Sequence, residues 1–233
     1  MPPSNIAAAR AFADQNWAGN KAIGTNEAGG LKSKRWDPAL RELRVKFITE
    51  STLSDRIFAA AKSWEDHMPL RFRRVSNDET ADILFGTVAG NGHWSNVGTD
   101  SGFQAAQGIQ SMNFGWVVDP DNAVLRRTAL HEFGHAMGLV HEHSLPGNTI
   151  DWDKPAVYAH YKDTYGWEPD KVDRNVFATY SEAQVNRTTY DPQSIMHYPV
   201  EAELVTDPAD VVGWNFDLSP LDKALIDWLW TPA

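Results

Sequence analysis

Cysteine is absent from the 233 residues, which excludes disulfides and thiolate ligands, so any metal must be held by His, carboxylate or Tyr. No apolar run approaches the roughly 20 residues that span a bilayer. The opening MPPSNIAAARAFAD lacks a basic start followed by an unbroken apolar stretch. Neither a membrane anchor nor a visible signal peptide is expected. Basic residues are scarce, with 21 Lys and Arg against 31 Asp and Glu, a formal net charge of −10, and pairs such as Arg73-Arg74 and Arg126-Arg127 as the longest basic runs. Nucleic acid and anionic membrane are thereby disfavoured as partners.

What is present suits one domain, or two lobes sharing a cleft, since 42% hydrophobic residues supply a sizeable core. Residues 1–35, rich in Ala, Gly and Asn, read as a leader or linker with a propeptide-like role left open. The packed domain is expected to begin near Trp36, with an N-terminal lobe over about 36–138 and a C-terminal lobe over about 139–233. LRVKF (43–47) alternates as a half-buried strand, and residues 51–68 repeat Ile57, Ala60, Ala61 and Trp64 at helical spacing. LRFRRV, ADILFG and QGIQSMNF read as further strands, with a Gly-rich loop before the last. Past residue 143, turn signals surround one helix near 156–165. SPLDKALIDWLW (219–230) reads as a closing helix capped by Ser219, with Leu221, Ala224, Leu225 and Trp228 as its apolar stripe.

The stretch TALHEFGHAMGLVHEH (128–143) holds four of the eight histidines. Leu130, Phe133 and Met137 place it on a helix starting near Ala123. His131 and His135 lie about 40° apart around that helix, on one face at ligand spacing. His141 would point about 240° away from His135 if the helix continued, so the helix must stop first. Gly138 sits where that stop is needed, because a residue without Cβ turns the chain in the left-handed region at little cost. Three imidazoles leave an open position, the pattern of a catalytic zinc site. Glu132, beside the first ligand, is the natural general base toward a zinc-activated water whose pKa falls to ~7. That chemistry hydrolyses amides.

HExxHxxGxxH followed by SIMHY (194–198) resembles the metzincins, and Glu142 with His143 after the third histidine narrows the resemblance to the astacin family. KRWDPALRELRVKF resembles that family's opening strand and HWSNVG its edge-strand segment. The resemblance implies a metzincin-like α+β fold: a twisted mixed sheet with backing and active-site helices, an irregular C-terminal lobe, and a cleft floored by one zinc ion. It implies an endopeptidase, with Tyr198 as a further zinc ligand and oxyanion stabiliser, Met196 packed beneath the metal, and Glu142 supporting the site. Trp94 and Ser95 would line an edge strand that pairs with an extended protein or peptide substrate. His143 and His197 are expected to be ordinary hydrogen-bonded histidines outside the site.

The resemblance further implies secretion, and a monomer is expected. Family members typically carry disulfides, so here Trp152, Tyr158, Tyr161 and Trp167 are candidates to hold the irregular lobe by packing. The partner of Glu142 stays open, and FAD (12–14) is a distant echo of the family's propeptide aspartate motif. The resemblance also implies that the segment after SIMHY walls the pocket for the side chain just after the cut bond; here residues 199–220 hold Glu201, Glu203, Asp207, Asp210 and Asp217 but no Lys or Arg, which disfavours an acidic side chain there unless Arg126 or Arg127 reaches that pocket. The alternative function is a catalytically inactive metzincin-fold module that binds peptide or zinc.

Overall fold

Residues 30–186 and 189–231 are described by the computed structural model, so Phe12, Asp14 and the rest of residues 1–29 lie outside the described residues. The first strand, β1 (Gly30–Leu31), precedes β2 (Glu42–Phe47), whose alternation puts Leu43, Val45 and Phe47 in the core. The Ser51 side chain accepts the Ser54 N–H and starts α1 (Thr52–Ala61), which tightens into a 3-10 turn over Lys62–His67. Next come β3 (Arg71–Arg74), the fully buried β4 (Ile83–Gly86), β5 (Trp94–Ser95), α2 (Thr99–Ala106) and β6 (Met112–Asn113). The five-stranded sheet runs β3-β2-β4-β6-β5, parallel except for terminal β5, which is antiparallel to β6.

Asp121 caps α3 (Asn122–Ala136) by accepting the Ala123 and Val124 N–H groups. Nearly every residue of α3 after its first turn is buried, because the helix lies between the sheet side of the core and the segments that follow it. Two tryptophans pin its carbonyls: Trp64 Nε1 donates to Leu130 O at 3.0 Å and Trp36 Nε1 to Ala136 O at 2.8 Å.

The C-terminal lobe is less regular, with α4 (Lys154–Tyr165), the single turn α5 (Pro169–Val172), β7 (Val185–Asn186) and α6 (Pro220–Trp230). Tyr161 and Trp167 are buried with Val157, Val172, Val176 and Leu204, and Trp152 and Tyr158 pack against them, so the aromatic packing expected in place of disulfides is present.

Two features differ from the sequence expectation. Residues 30–35, read there as leader, are built into the fold. β1 pairs antiparallel with β7, Leu31 is buried with Val140, Leu145, Tyr180 and Val185, and Arg35 Nε donates to Leu229 O at 2.7 Å. In α6 the buried face is Asp222, Ile226, Leu229 and Trp230 rather than the stripe through Ala224 and Trp228. The rotation has a polar cause, since Asp222 turns inward to accept three hydrogen bonds, while Trp228 is left outside under the Arg35 guanidinium, 5.5 Å from its ring centre.

Candidate metal centre

His131 and His135 leave the same face of α3, and the helix ends at Ala136. Gly138 has φ +106°, and the chain then runs to His141 in extended conformation at φ −64° and ψ 131°. The reversal brings His135 Nε2 within 3.1 Å of His131 Nε2 and 3.2 Å of His141 Nε2. The turn is held from outside by Leu31 N–H on Gly138 O at 3.2 Å and by Gly98 N–H on His135 O at 2.9 Å. Gly98 itself has φ +51°, and a Cβ there would lie 1.9 Å from Lys34 O, so only glycine fits.

The tautomers follow from the neighbours. His131 Nδ1 is 2.9 Å from Ile195 O and His135 Nδ1 is 2.9 Å from Leu139 O; a carbonyl only accepts, so both Nδ1 atoms carry the proton and both Nε2 lone pairs face inward. Burial depresses the pKa of all three imidazoles, that of His135 to about 4 and those of His131 and His141 well below the usual value, so all are neutral at pH 7. Converging neutral lone pairs repel one another unless a cation sits between them. Nitrogens on a tetrahedron of Zn–N length ~2.0–2.1 Å stand about 3.3 Å apart, close to the observed spacings. The residues therefore fit zinc.

Glu132 is buried beside the triad, and burial pushes its carboxyl up to about 8 against the pull of nearby Arg127. The Tyr198 ring centre lies 4.3 Å from that of His141 and 5.3 Å from that of His131. Met196 lies beneath the helix: a Cβ on Gly134 would come within 2.6 Å of its Sδ, so the glycine between the two helical histidines makes room for the methionine turn (Met-turn, residues 194–198). Glu142 is buried, accepts the Asp191 N–H at 2.9 Å on Oε1, and donates its own N–H to Met196 O at 3.2 Å. Trp94 and Ser95, half-buried, form the terminal strand β5. His143 lies 3.3 Å from Asn175 O through Nε2 and His197 lies 2.8 Å from the Tyr190 hydroxyl, although the His143 ring also stacks on His141 at 5.4 Å.

Two residues have roles that local sequence did not reveal. Asp222, on α6, accepts Ser194 Oγ–H at 2.7 Å, Ile195 N–H at 2.8 Å and Ser219 N–H at 2.9 Å, thereby fixing the residue whose carbonyl orients His131. Arg127 is buried one turn before His131. Its guanidinium lies 4.5 Å from the Trp214 ring centre, and burial lowers its pKa to about 10 against the opposing pull of Tyr198 and Glu132. A lone arginine inside an HExxH helix carries no motif signal.

A mixed sheet with backing helices, and an HExxH helix whose chain turns at a glycine to bring up a third histidine, define the α+β metzincin class. The sequence profile of the astacin peptidase family matches residues 30–207. The chain belongs to the astacin family. Its structure resembles that of myroilysin at TM-score 0.79 and 34% identity, over 87% of this chain and 98% of that one. Zinc metalloproteinase nas-23 of Caenorhabditis elegans is 29% identical over 167 residues, 69% of this chain and 27% of that protein. The high choriolytic enzyme 1 of Oryzias latipes shares the fold at TM-score 0.59 and 16% identity, covering 89% of this chain and 98% of that one. The chain spans 20–28% of the length of the curated relatives it matches.

Proposed function

We propose that the chain is a zinc-dependent endopeptidase that hydrolyses peptide bonds in proteins. His131, His135 and His141 would hold one zinc ion per chain, with Tyr198 as a further ligand. The convergence of three neutral imidazoles beside a buried glutamate carries the proposal. Zinc, when bound, supplies a Lewis acid that polarises a carbonyl and acidifies a water. With a cation held by the neighbouring imidazoles, which would favour its ionised form, the Glu132 carboxylate takes the proton of the attacking water and delivers it to the leaving amine. The Tyr198 phenol donates to the oxygen on which negative charge develops. Ile195 O and Leu139 O keep two imidazoles in the tautomer that leaves Nε2 free, and Met196 supports the helix turn between them.

Terminal strand β5 supports binding of an extended substrate main chain at Trp94 and Ser95, a mode that reads backbone rather than side chains. Gly138 and Glu142 would support the site rather than touch substrate. Secretion is part of this reading, by kinship with the family. Among the described residues, no helix is long and apolar enough to cross a membrane. An inactive binding module would have no use for Glu132, which is intact.

Digestion of denatured casein tests the proposal. Hydrolysis is expected to be abolished by a chelator and restored by zinc, while binding without hydrolysis in the zinc-loaded chain would favour the inactive module.

A further inference from the structure

We propose that the C-terminal lobe carries a second divalent-cation site, built from His160, Glu201 and Glu203. The ligand atoms of these three side chains all lie within 4.8 Å of one another, and among the described residues only the His131, His135 and His141 group shows the same convergence of three or more His or carboxylate ligands. The parts come from separate elements. His160 stands on α4, whereas Glu201 and Glu203 stand at the start of the 3-10 turn Ala202–Leu204.

Packing holds those elements together independently of the three side chains. Leu204 is buried against Val157 and Tyr161 of α4, Asp153 N–H donates to Leu204 O at 3.0 Å, and Leu204 N–H closes the turn on Glu201 O at 3.0 Å. The ligand-bearing backbone is thus set before any ion arrives, which lowers the entropic cost of capture. His160 and Glu201 are half-buried and Glu203 is exposed, so an ion can enter and keep waters on its open side.

The donor set selects the cation. Two carboxylates and one imidazole suit a borderline divalent transition ion such as Zn²⁺, Mn²⁺ or Co²⁺; Ca²⁺ and Mg²⁺ prefer all-oxygen shells, and soft ions prefer the thiolates this chain lacks. Charge favours it as well, since Glu201 and Glu203 together offer two carboxylates to one cation. Bound there, the ion ties α4 to the segment that follows Tyr198, closing a loop of about 40 residues in a lobe without disulfides. Tyr161, next to His160, packs in the same cluster as Tyr198, so the clip braces the Tyr198 side of the cleft from behind.

The test counts metal on the untagged full chain after equilibrium dialysis against Zn²⁺, with thermal unfolding measured in parallel. Two equivalents are expected in the wild type and one in both His160→Ala and Glu203→Gln. Excess Zn²⁺, at about 100 times the second-site Kd, should raise the wild-type Tm by roughly 5 °C or more and leave both variants unmoved. Glu203→Gln, nearly isosteric and exposed, guards against misfolding of the histidine variant. One equivalent in the wild type, or two in the wild type and in both variants, overturns the proposal. Because the readout is metal content rather than hydrolysis, that failure would leave the peptidase reading standing.

Discussion

In the N-terminal lobe the sheet, α1 and α3 bury one continuous core that runs from Leu43 and Phe85 through Trp64 and Phe133 and reaches across to Met196, Ile226 and Trp230. Past Gly138, the remaining buried apolar side chains divide among three small clusters, around Tyr161, Val140 and Val200. Hydrogen bonds fill the gap. Ser219 Oγ donates to Asp191 Oδ2 at 2.6 Å, Asp191 N–H donates to Glu142, Asn215 Nδ2 donates to Ser194 O and Pro192 O at 2.9 Å, and Asp222 holds Ser194 and Ile195. All of these contacts bear on the Met-turn or the residues just before it. Where apolar burial is thin, a satisfied buried polar network fixes geometry instead.

Truncation in the large core should cost most. Leu43→Ala is expected to lower unfolding free energy by about 2–5 kcal/mol, read by denaturant titration, because close packing on both sides prevents collapse. A loss well below 1 kcal/mol would mean that this lobe does not depend on its core. Asp222→Ala, which strands three buried donors, should cost about 3 kcal/mol, whereas Asp222→Asn should recover most of it, since the amide can accept from Ile195 and Ser219 and face Ser194 Oγ. Equal losses in the two variants would show that charge, not hydrogen bonding, is what the pin supplies.

The same residue sharpens the contrast through pH. Burial raises the Asp222 pKa. A carboxyl with a raised folded pKa favours the fold below its unfolded pKa, and that contribution is lost as pH rises through the folded value. The Asn variant should therefore lose less stability than wild type as pH climbs just above the ordinary Asp range. A parallel pair of stability curves would contradict this.

Much of the site is legible because its histidines are local. His131 and His135 share a helix face, and Gly138 is the local signal for the return to His141. SIMHY is a second short signal that brings Met196 and Tyr198. Asp222 was not legible, because its partners Ser194 and Ile195 are distant in sequence and an acid in an apolar stripe reads as a solvent position. The same blindness rotated the expected face of α6. The helix α2 escaped notice between the Gly-rich loop and the QGIQSMNF strand, since it is short, and its Phe103 is exposed rather than part of a buried stripe. Residues 30–35 read as linker because their anchors, Gly138, Gln184 and Leu229, come from segments far along the chain.

Smaller effects concern the cleft. Tyr198→Phe should spare zinc and lower kcat by on the order of 10²-fold while KM changes less. An unchanged kcat with a raised KM would reduce the tyrosine to a substrate contact. Smallest of all is the preference at the residue after the cut bond, expected to be neutral or basic because Arg126 is engaged by Asp217 at 2.8 Å and by Ser63, and Arg127 lies buried against Trp214. Mass-spectrometric mapping of cuts in a peptide library would refute this by showing enrichment of Asp or Glu there.

The central claim is that the His131, His135 and His141 centre carries hydrolysis through the glutamate beside it. Glu132→Gln keeps the side-chain shape and all three imidazoles but removes the base. Zinc at the three-histidine centre, counted in the His160→Ala background to exclude any second ion, should stay near one per chain. Peptide turnover, measured on the same sample, should fall by at least ~100-fold. Near-normal turnover with zinc retained would contradict the account.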